Sequence, residues 1–485
     1  MKKIHFFLAA FLTLTSVSVN AQQLVSSTLL GAFNPTQVDS IYQSIGLPVF
    51  LAPITYGIEV HKLVFETSDA QGNTIIGSGA IFFPVDPTGT VCFPRMSYQH
   101  GTVLRKTDVP SNLDDGSLLS GVSSATSGYV VTAPDFHGLG DGPGFPTYVH
   151  AKTEAFAVID LLRAGEEFCA TKGVNINDQL FLVGYSHGGH ATMAAHREIA
   201  EFHSNEFTVT ASAPLSGPYD ISGVMADVMT GPATYNQPGY APYVVLGYQE
   251  AYGNIFNNLS DVFAAPYDSI VGVMYDGTNS LGAINPLLPS VPRDMFDSTW
   301  LDGFINDPQN PLRIAVEDND LYNWKPEDPM RILYCLADEL VPAQNSLVAY
   351  NAFIAAGSTT VSAFDVNSNG THSSCALPAI LGAKAWFDSL AVDTCPPVAP
   401  VGIRENIAPQ FALFPNPAKE QVTVEFANPD HAKYQVSILD ISGRVRKQAA
   451  TTTDAFLLDI ELLPPGMYLL KVDGPTSYLK RLVIQ

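Results

Sequence analysis

The 485-residue sequence predicts an α/β protein: a mostly parallel sheet with helices on both faces, a cap inserted late in the chain, and a small C-terminal β-sandwich. Three observations predict it. Short apolar runs alternate with longer helical stretches between Gly128 and Leu390, the pattern of βα units feeding a parallel sheet. One stretch, Pro218 to Pro329, breaks that rhythm and is too long for a plain loop, so it reads as a cap of about residues 218–329. Beyond Pro400 the helical pattern stops, and short strands follow one another with turn signals between them.

The elements follow in order. Residues 1–21 read as a secretory signal peptide: two lysines, an apolar stretch from Ile4 to Leu14, and Val19-Asn20-Ala21 before Gln22, too short for a membrane span. With no later stretch of transmembrane length, the mature chain is expected to be soluble and exported. Residues 22–395 form the expected α/β domain. Gly57 to Val85 alternates apolar and polar residues around Asp69-Ala70-Gln71-Gly72-Asn73, an antiparallel hairpin at the start of the sheet. Strands are expected at Val91–Tyr98, Gly128–Ala133, Leu180–Val183, Phe207–Ala213, Arg331–Leu336 and Val361–Val366. Helices are expected at Lys152–Thr171, Ser346–Ala356 and Ala376–Leu390, and after Gly188. The cap's aromatics, such as Tyr243, Phe256, Trp300 and Phe304, are expected to form its own core. Residues 396–408, opening on Pro396-Pro397, make a stiff linker, and 409–485 the sandwich.

Composition excludes several functions. Lys and Arg number 24 against 47 Asp and Glu, a net charge of −23, and the tail from Pro409 is balanced at eight of each. The α/β domain therefore carries the negative excess and is no nucleic-acid binder, because phosphates need the opposite sign. Five cysteines, Cys92, Cys169, Cys335, Cys375 and Cys395, lack metal-type spacing, and neither His100 nor His187 has an i, i+4 carboxylate or histidine of ligand type, so no metal and no cofactor is expected. In an oxidising compartment some cysteines pair. If Cys335 and Cys375 lie on neighbouring loops a bridge would brace them; two buried thiols is the alternative. Glu317-Asp318-Asn319-Asp320 lacks the spaced ligands of a calcium loop and reads as solvated surface.

The residues that carry chemistry begin at Gly184-Tyr185-Ser186-His187-Gly188, between the apolar run Leu180–Val183 and a helical stretch. Strand, sharp turn and helix are the context of a nucleophile elbow, in which a strained serine needs small residues two before and two after it. This resembles the α/β-hydrolases, whose chain order is serine, acid, histidine. The resemblance implies Ser186 as nucleophile, Asp338 at the end of a buried strand as acid, and His372, in the flexible-looking loop Asn369-Gly370-Thr371-His372-Ser373-Ser374, as base. Glu339 is expected to point elsewhere. Backbone N–H groups of His187 and of Gly101 or Thr102, in Gln99-His100-Gly101-Thr102, are the expected oxyanion donors.

Positions 30–390 resemble the secretory lipases through the elbow, the acid and histidine loops, a cap between the sixth and seventh strands, and Ala133-Pro134-Asp135-Phe136-His137-Gly138-Leu139-Gly140-Asp141 before Tyr148. The family often has a small residue after the serine, and His187 is expected to narrow the acyl site. Residues 409–485 resemble the C-terminal sorting domain of the type IX secretion system through Phe414-Pro415-Asn416-Pro417, Asp440-Ile441-Ser442-Gly443-Arg444-Val445 and Leu463-Pro464-Pro465-Gly466-Met467-Tyr468. Together they imply an exported lipase or esterase acting through an acyl-enzyme on lipidic or aryl esters, with the type IX machinery as partner. A serine peptidase, a polysaccharide acetyl or feruloyl esterase, and a non-catalytic surface adhesin are the alternatives.

Overall fold

The computed structural model describes residues 23–45, 49, 52–113, 117–395, 412–426, 428, 432–440, 445–473 and 478–485. The expected signal peptide, the linker and Ile441 to Arg444 of the sorting motif lie outside the described residues. Two compact units divide between Pro396 and Pro397.

The larger unit is built on a nine-stranded sheet, in spatial order β1 (Leu24–Phe33), β2 (Gly57–Ser68), β3 (Thr74–Val85), β5 (Val130–Pro134), β4 (Phe93–Gln99), β6 (Ile176–Tyr185), β7 (Val209–Leu215), β8 (Met330–Tyr334) and β9 (Val361–Asp365). β1, β2 and β3 pair antiparallel, β3 pairs antiparallel with β5, and from β5 to β9 every pairing is parallel. All seven residues of β4 are buried, as expected of a strand covered on both faces. Helices α1 (Pro35–Ile45), α2 (Ser117–Thr126) and α12 (His372–Asp388) pack on one face through Tyr42, Val122, Ala379 and Phe387. Helices α3 (Ala151–Lys172), α4 (His187–Phe202) and α11 (Gln344–Ala355) cover the other through Leu162, Ala195 and Phe353.

Several elements differ from the sequence expectation. β1 is an edge strand whose side chains are mostly exposed, so LVSSTLLGAF shows no alternation to read. With β1 counted, the cap falls between β7 and β8, the same two strands expected to flank it. The last helix begins at His372 and not at Ala376, because the Thr371 side chain accepts from Ser374 N–H and caps a first turn that polar residues make look like loop.

The cap is ordered helix, not irregular chain: α5 (Ala226–Thr230), α6 (Tyr240–Tyr252), α7 (Tyr267–Met274), α8 (Leu281–Ile284), α9 (Ser298–Asn306) and α10 (Pro311–Asp318). Its abundance of Asp and Asn has a local cause. Asp297 accepts from the N–H groups of Thr299 and Trp300, and Asn310 from those of Leu312 and Arg313, so these residues start short helices. Tyr243, Phe263, Phe296 and Phe304 form a separate cap core, with Trp300 stacked between Phe296 and Phe304. Asn319 and Asp320, expected as solvated surface, are 1% and 4% exposed. Asp320 Oδ1 accepts from the N–H groups of Ile221 and Ser222 at 2.8 and 3.0 Å, closing the cap's last turn onto its first.

Disulfides join Cys92 to Cys395 and Cys335 to Cys375, leaving Cys169 buried and free. The smaller unit holds an antiparallel three-stranded sheet, β10 (Ala412–Phe414), β11 (Gln421–Glu425) and β14 (Ala455–Asp459), and a four-stranded one. The latter runs β13 (Val445–Thr451), β12 (Tyr434–Leu439), β15 (Gly466–Asp473), β16 (Tyr478–Ile484), and Val422, Val424, Ile438 and Leu470 lie in their shared core.

Candidate active site

Ser186 sits between β6 and α4 with φ 62° and ψ −122°, a conformation L-residues rarely adopt. Its N–H donates to Leu215 O at 2.9 Å, which ties the turn to β7. The flanking glycines are steric requirements. A Cβ on Gly184 would collide with the Gly188 carbonyl, and one on Gly188 with the carbonyls of Gln99 and His100.

The structure brings the three expected side chains together. His372 Nε2 is 2.8 Å from Ser186 Oγ, and His372 Nδ1 is 2.7 Å from Asp338 Oδ2. The other carboxylate oxygen, Oδ1, accepts from the N–H groups of Leu340 and Val341 at 3.0 and 2.9 Å, fixing Asp338 at the β8 end. An Nδ1–H directed at Asp338 leaves the Nε2 lone pair facing the serine hydroxyl, an arrangement able to take its proton. His372 is held from three further sides. Tyr185 OH donates to its carbonyl at 2.6 Å, its own N–H donates to Glu339 Oε2 at 3.0 Å, and Cys375, one turn along α12, is bridged to Cys335 at the end of β8. Glu339 thus points at the histidine turn and not away from it.

His187 is the first residue of α4, while Gly101 and Thr102 follow β4. The His187 side chain is turned back into the protein, packed against Phe136 and Tyr148 with Nε2 2.7 Å from Glu154 Oε1. Thr102 Oγ1 lies 3.0 Å from Tyr148 OH. Ser186 and His187 open onto an apolar cavity. Its walls come mainly from the cap, among them Met225, Met229, Tyr240, Val244 and Phe304. Among the described residues no group of three or more His, Cys, Asp or Glu is arranged to hold a metal.

Residues 115–205 match the secretory lipase family model, and residues 412–485 match the secretion system C-terminal sorting domain. The ligand-bound crystal structure of the rice cell wall degrading esterase LipA from Xanthomonas oryzae superposes with a TM-score of 0.68 at 26% identity, covering 76% of this chain and 98% of that one. The larger unit is an α/β-hydrolase, and it is a carboxylic ester hydrolase. A Legionella pneumophila structure matches this hydrolase with a TM-score of 0.69 at 28% identity, over 76% of this chain and 98% of that one. Candida antarctica lipase A in its closed state shares the fold, with a TM-score of 0.56 at 16% identity over 79% and 87% of the two chains. No curated protein matches the hydrolase in sequence.

Two residues of the hydrolase's site carried no sequence signal. Tyr185 is visible only as an apolar strand residue, and Glu154 as the first acidic residue of α3. Glu154 is buried and receives both His187 Nε2 and His190 Nδ1 at 2.7 Å. Burial pushes its carboxyl up, yet the imidazoles of His190 and His187 outweigh that and bring it down to about 2. The one available hint was the i, i+3 spacing of His187 and His190 on a helix.

Proposed function

We propose that this secreted ester hydrolase works through an acyl-enzyme on Ser186, with His372 as general base and acid and Asp338 as the group that orients it. The observation that carries the reading is the unbroken chain Ser186 Oγ, His372 Nε2, His372 Nδ1, Asp338 Oδ2 at 2.8 and 2.7 Å, on a serine in the strained elbow conformation. His372 Nε2 takes the hydroxyl proton as Oγ bonds to the ester carbonyl carbon, and the carbonyl oxygen becomes an oxyanion. The N–H of His187 and that of Gly101 or Thr102 hold it. The alcohol leaves with the proton from His372, and water, deprotonated by the same nitrogen, releases the acid and restores Ser186.

The substrate side of the reading is lipidic or aryl esters. The cavity that starts at Ser186 is apolar, and each methylene it takes from water is worth about 0.8 kcal/mol. No Asp or Glu lines that cavity among the described residues, so the acidic cap offers no seat for the amino terminus of a peptide substrate there. The comparison with LipA, a rice cell wall degrading esterase, favours a second reading in which the esters belong to plant wall polymers. The sorting domain and the signal peptide expected over residues 1–21 support export through the type IX machinery to the cell surface or beyond.

The test is turnover of nitrophenyl acetate, butyrate, octanoate and palmitate by the native chain and by Ser186→Ala. Activity that rises with chain length and vanishes in the variant is the expected result. Activity confined to acetate, with acetate or ferulate released from plant wall, would select the second reading.

A further inference from the structure

A buried cluster of polar side chains lies behind Ser186, and those side chains take no part in the steps above. Glu154, in the first turn of α3, is 2% exposed, and His187 and His190, from the first turn of α4, are 5% and 0% exposed. A lone carboxylate so buried costs several kcal/mol, and among the described residues its ion-pair partners are these two histidines alone. An ionised carboxylate only accepts, so His187 Nε2 and His190 Nδ1 both carry hydrogen. His190 Nε2 faces a second acceptor, the Asn319 carbonyl at 3.4 Å. His187 Nδ1 is buried without a partner. The Glu154 carboxylate is thus held by one imidazole on each oxygen.

That arrangement answers a steric problem. The residue after the nucleophile must present its backbone N–H to the ester while its side chain stays out of the way. An imidazole at this position would crowd the reacting carbon unless something drew it back. Glu154 draws it back onto α3, between Phe136 and Tyr148. Asn319 extends the same network to the end of the cap: its carbonyl faces His190, and its side-chain oxygen accepts from Ala151 N–H at the start of α3.

We propose that Glu154 and His190 are positioning residues for the oxyanion hole, holding the His187 side chain so that its backbone N–H is aimed at the developing oxyanion. This rests on the reading of Ser186 as nucleophile and His187 N–H as donor. Neither Glu154 nor His190 touches a reacting atom.

Glu154→Gln in the full chain keeps the volume and removes the charge. The expected result is a fall in kcat of about ten- to a hundredfold with KM within about twofold, and fluorophosphonate labelling of Ser186 slowed by the same factor, in protein that unfolds at nearly the native temperature. Wild-type kcat and labelling rate in folded Glu154→Gln would overturn the proposal. If that variant does not fold, His190→Gln decides by the same two readouts: a parallel fall in kcat and labelling rate supports the proposal, and wild-type values in folded protein overturn it. Ser186→Ala separates the two levels. An inactive Ser186→Ala beside an unaffected Glu154→Gln sinks the positioning role alone, whereas an active Ser186→Ala sinks the nucleophile and the positioning role with it.

Discussion

Tyr185 OH donates to the carbonyl of His372 at 2.6 Å, across 187 positions of sequence. The residue beside the proposed nucleophile thereby holds the residue proposed to activate it, and the two rings lie 5.0 Å apart. Strand β6 and helix α12 are not left to find their spacing through packing alone; one buried hydrogen bond sets it.

Removing that bond tests its worth. Tyr185→Phe leaves the His372 carbonyl without its buried donor, a loss of about 1 to 3 kcal/mol of stability. Because the Ser186 to His372 distance depends on it, kcat is expected to fall about threefold to thirtyfold with KM little changed, as steady-state kinetics on nitrophenyl butyrate will read. Unchanged kcat in a destabilised variant would make the bond purely structural.

The Cys335–Cys375 bridge closes a loop of sequence separation 40 that contains both Asp338 and His372. Loop-closure entropy gives it about 4 kcal/mol. Replacing both cysteines by alanine is expected to lower the unfolding temperature and to reduce kcat at temperatures where the protein stays folded. Thermal unfolding and activity measured on one preparation separate those effects, and full activity with only a lower melting temperature would confine the bridge to stability.

His150, at the start of α3, predicts an acid limit. It is 4% exposed, and burial pushes its imidazole down to about 4 against the opposing pull of Glu154. The unfolded chain, with an ordinary value of 6.5, therefore binds more protons than the folded one between about pH 6.5 and 4. Stability rises with pH through that window, and on acidification the protein loses on the order of 3 kcal/mol from this residue. Urea unfolding across the window should show the slope in the native chain and a shallower one in His150→Gln. Equal slopes would mean that other groups carry the acid sensitivity.

Val244 on α6 lines the cavity that starts at Ser186. Val244→Trp is expected to shorten the space for an acyl chain and lower the ratio of palmitate to butyrate turnover by about tenfold or more, equivalent to losing two or three buried methylenes. A ratio that stays at the native value would place the acyl chain elsewhere.

What the sequence determined by itself is local or inherited. Ser186 was legible because an elbow is a matter of neighbouring residues: an apolar run, two glycines where no Cβ fits, and a helix after them. Asp338 and His372 were legible through chain order in the resembled family, and the parallel sheet through its buried runs. The edge strand β1 escaped, because it buries no continuous face and leaves no period in the sequence. Whether Asp320 met water or the cap's first turn was likewise decided in three dimensions, as was the turn of Glu339 toward His372. The charge cluster of Glu154, His187 and His190 belongs to the same group. It forms only when α3 and α4 pack together, and a buried carboxylate is tolerable only beside partners that the fold, and not the chain, brings to it.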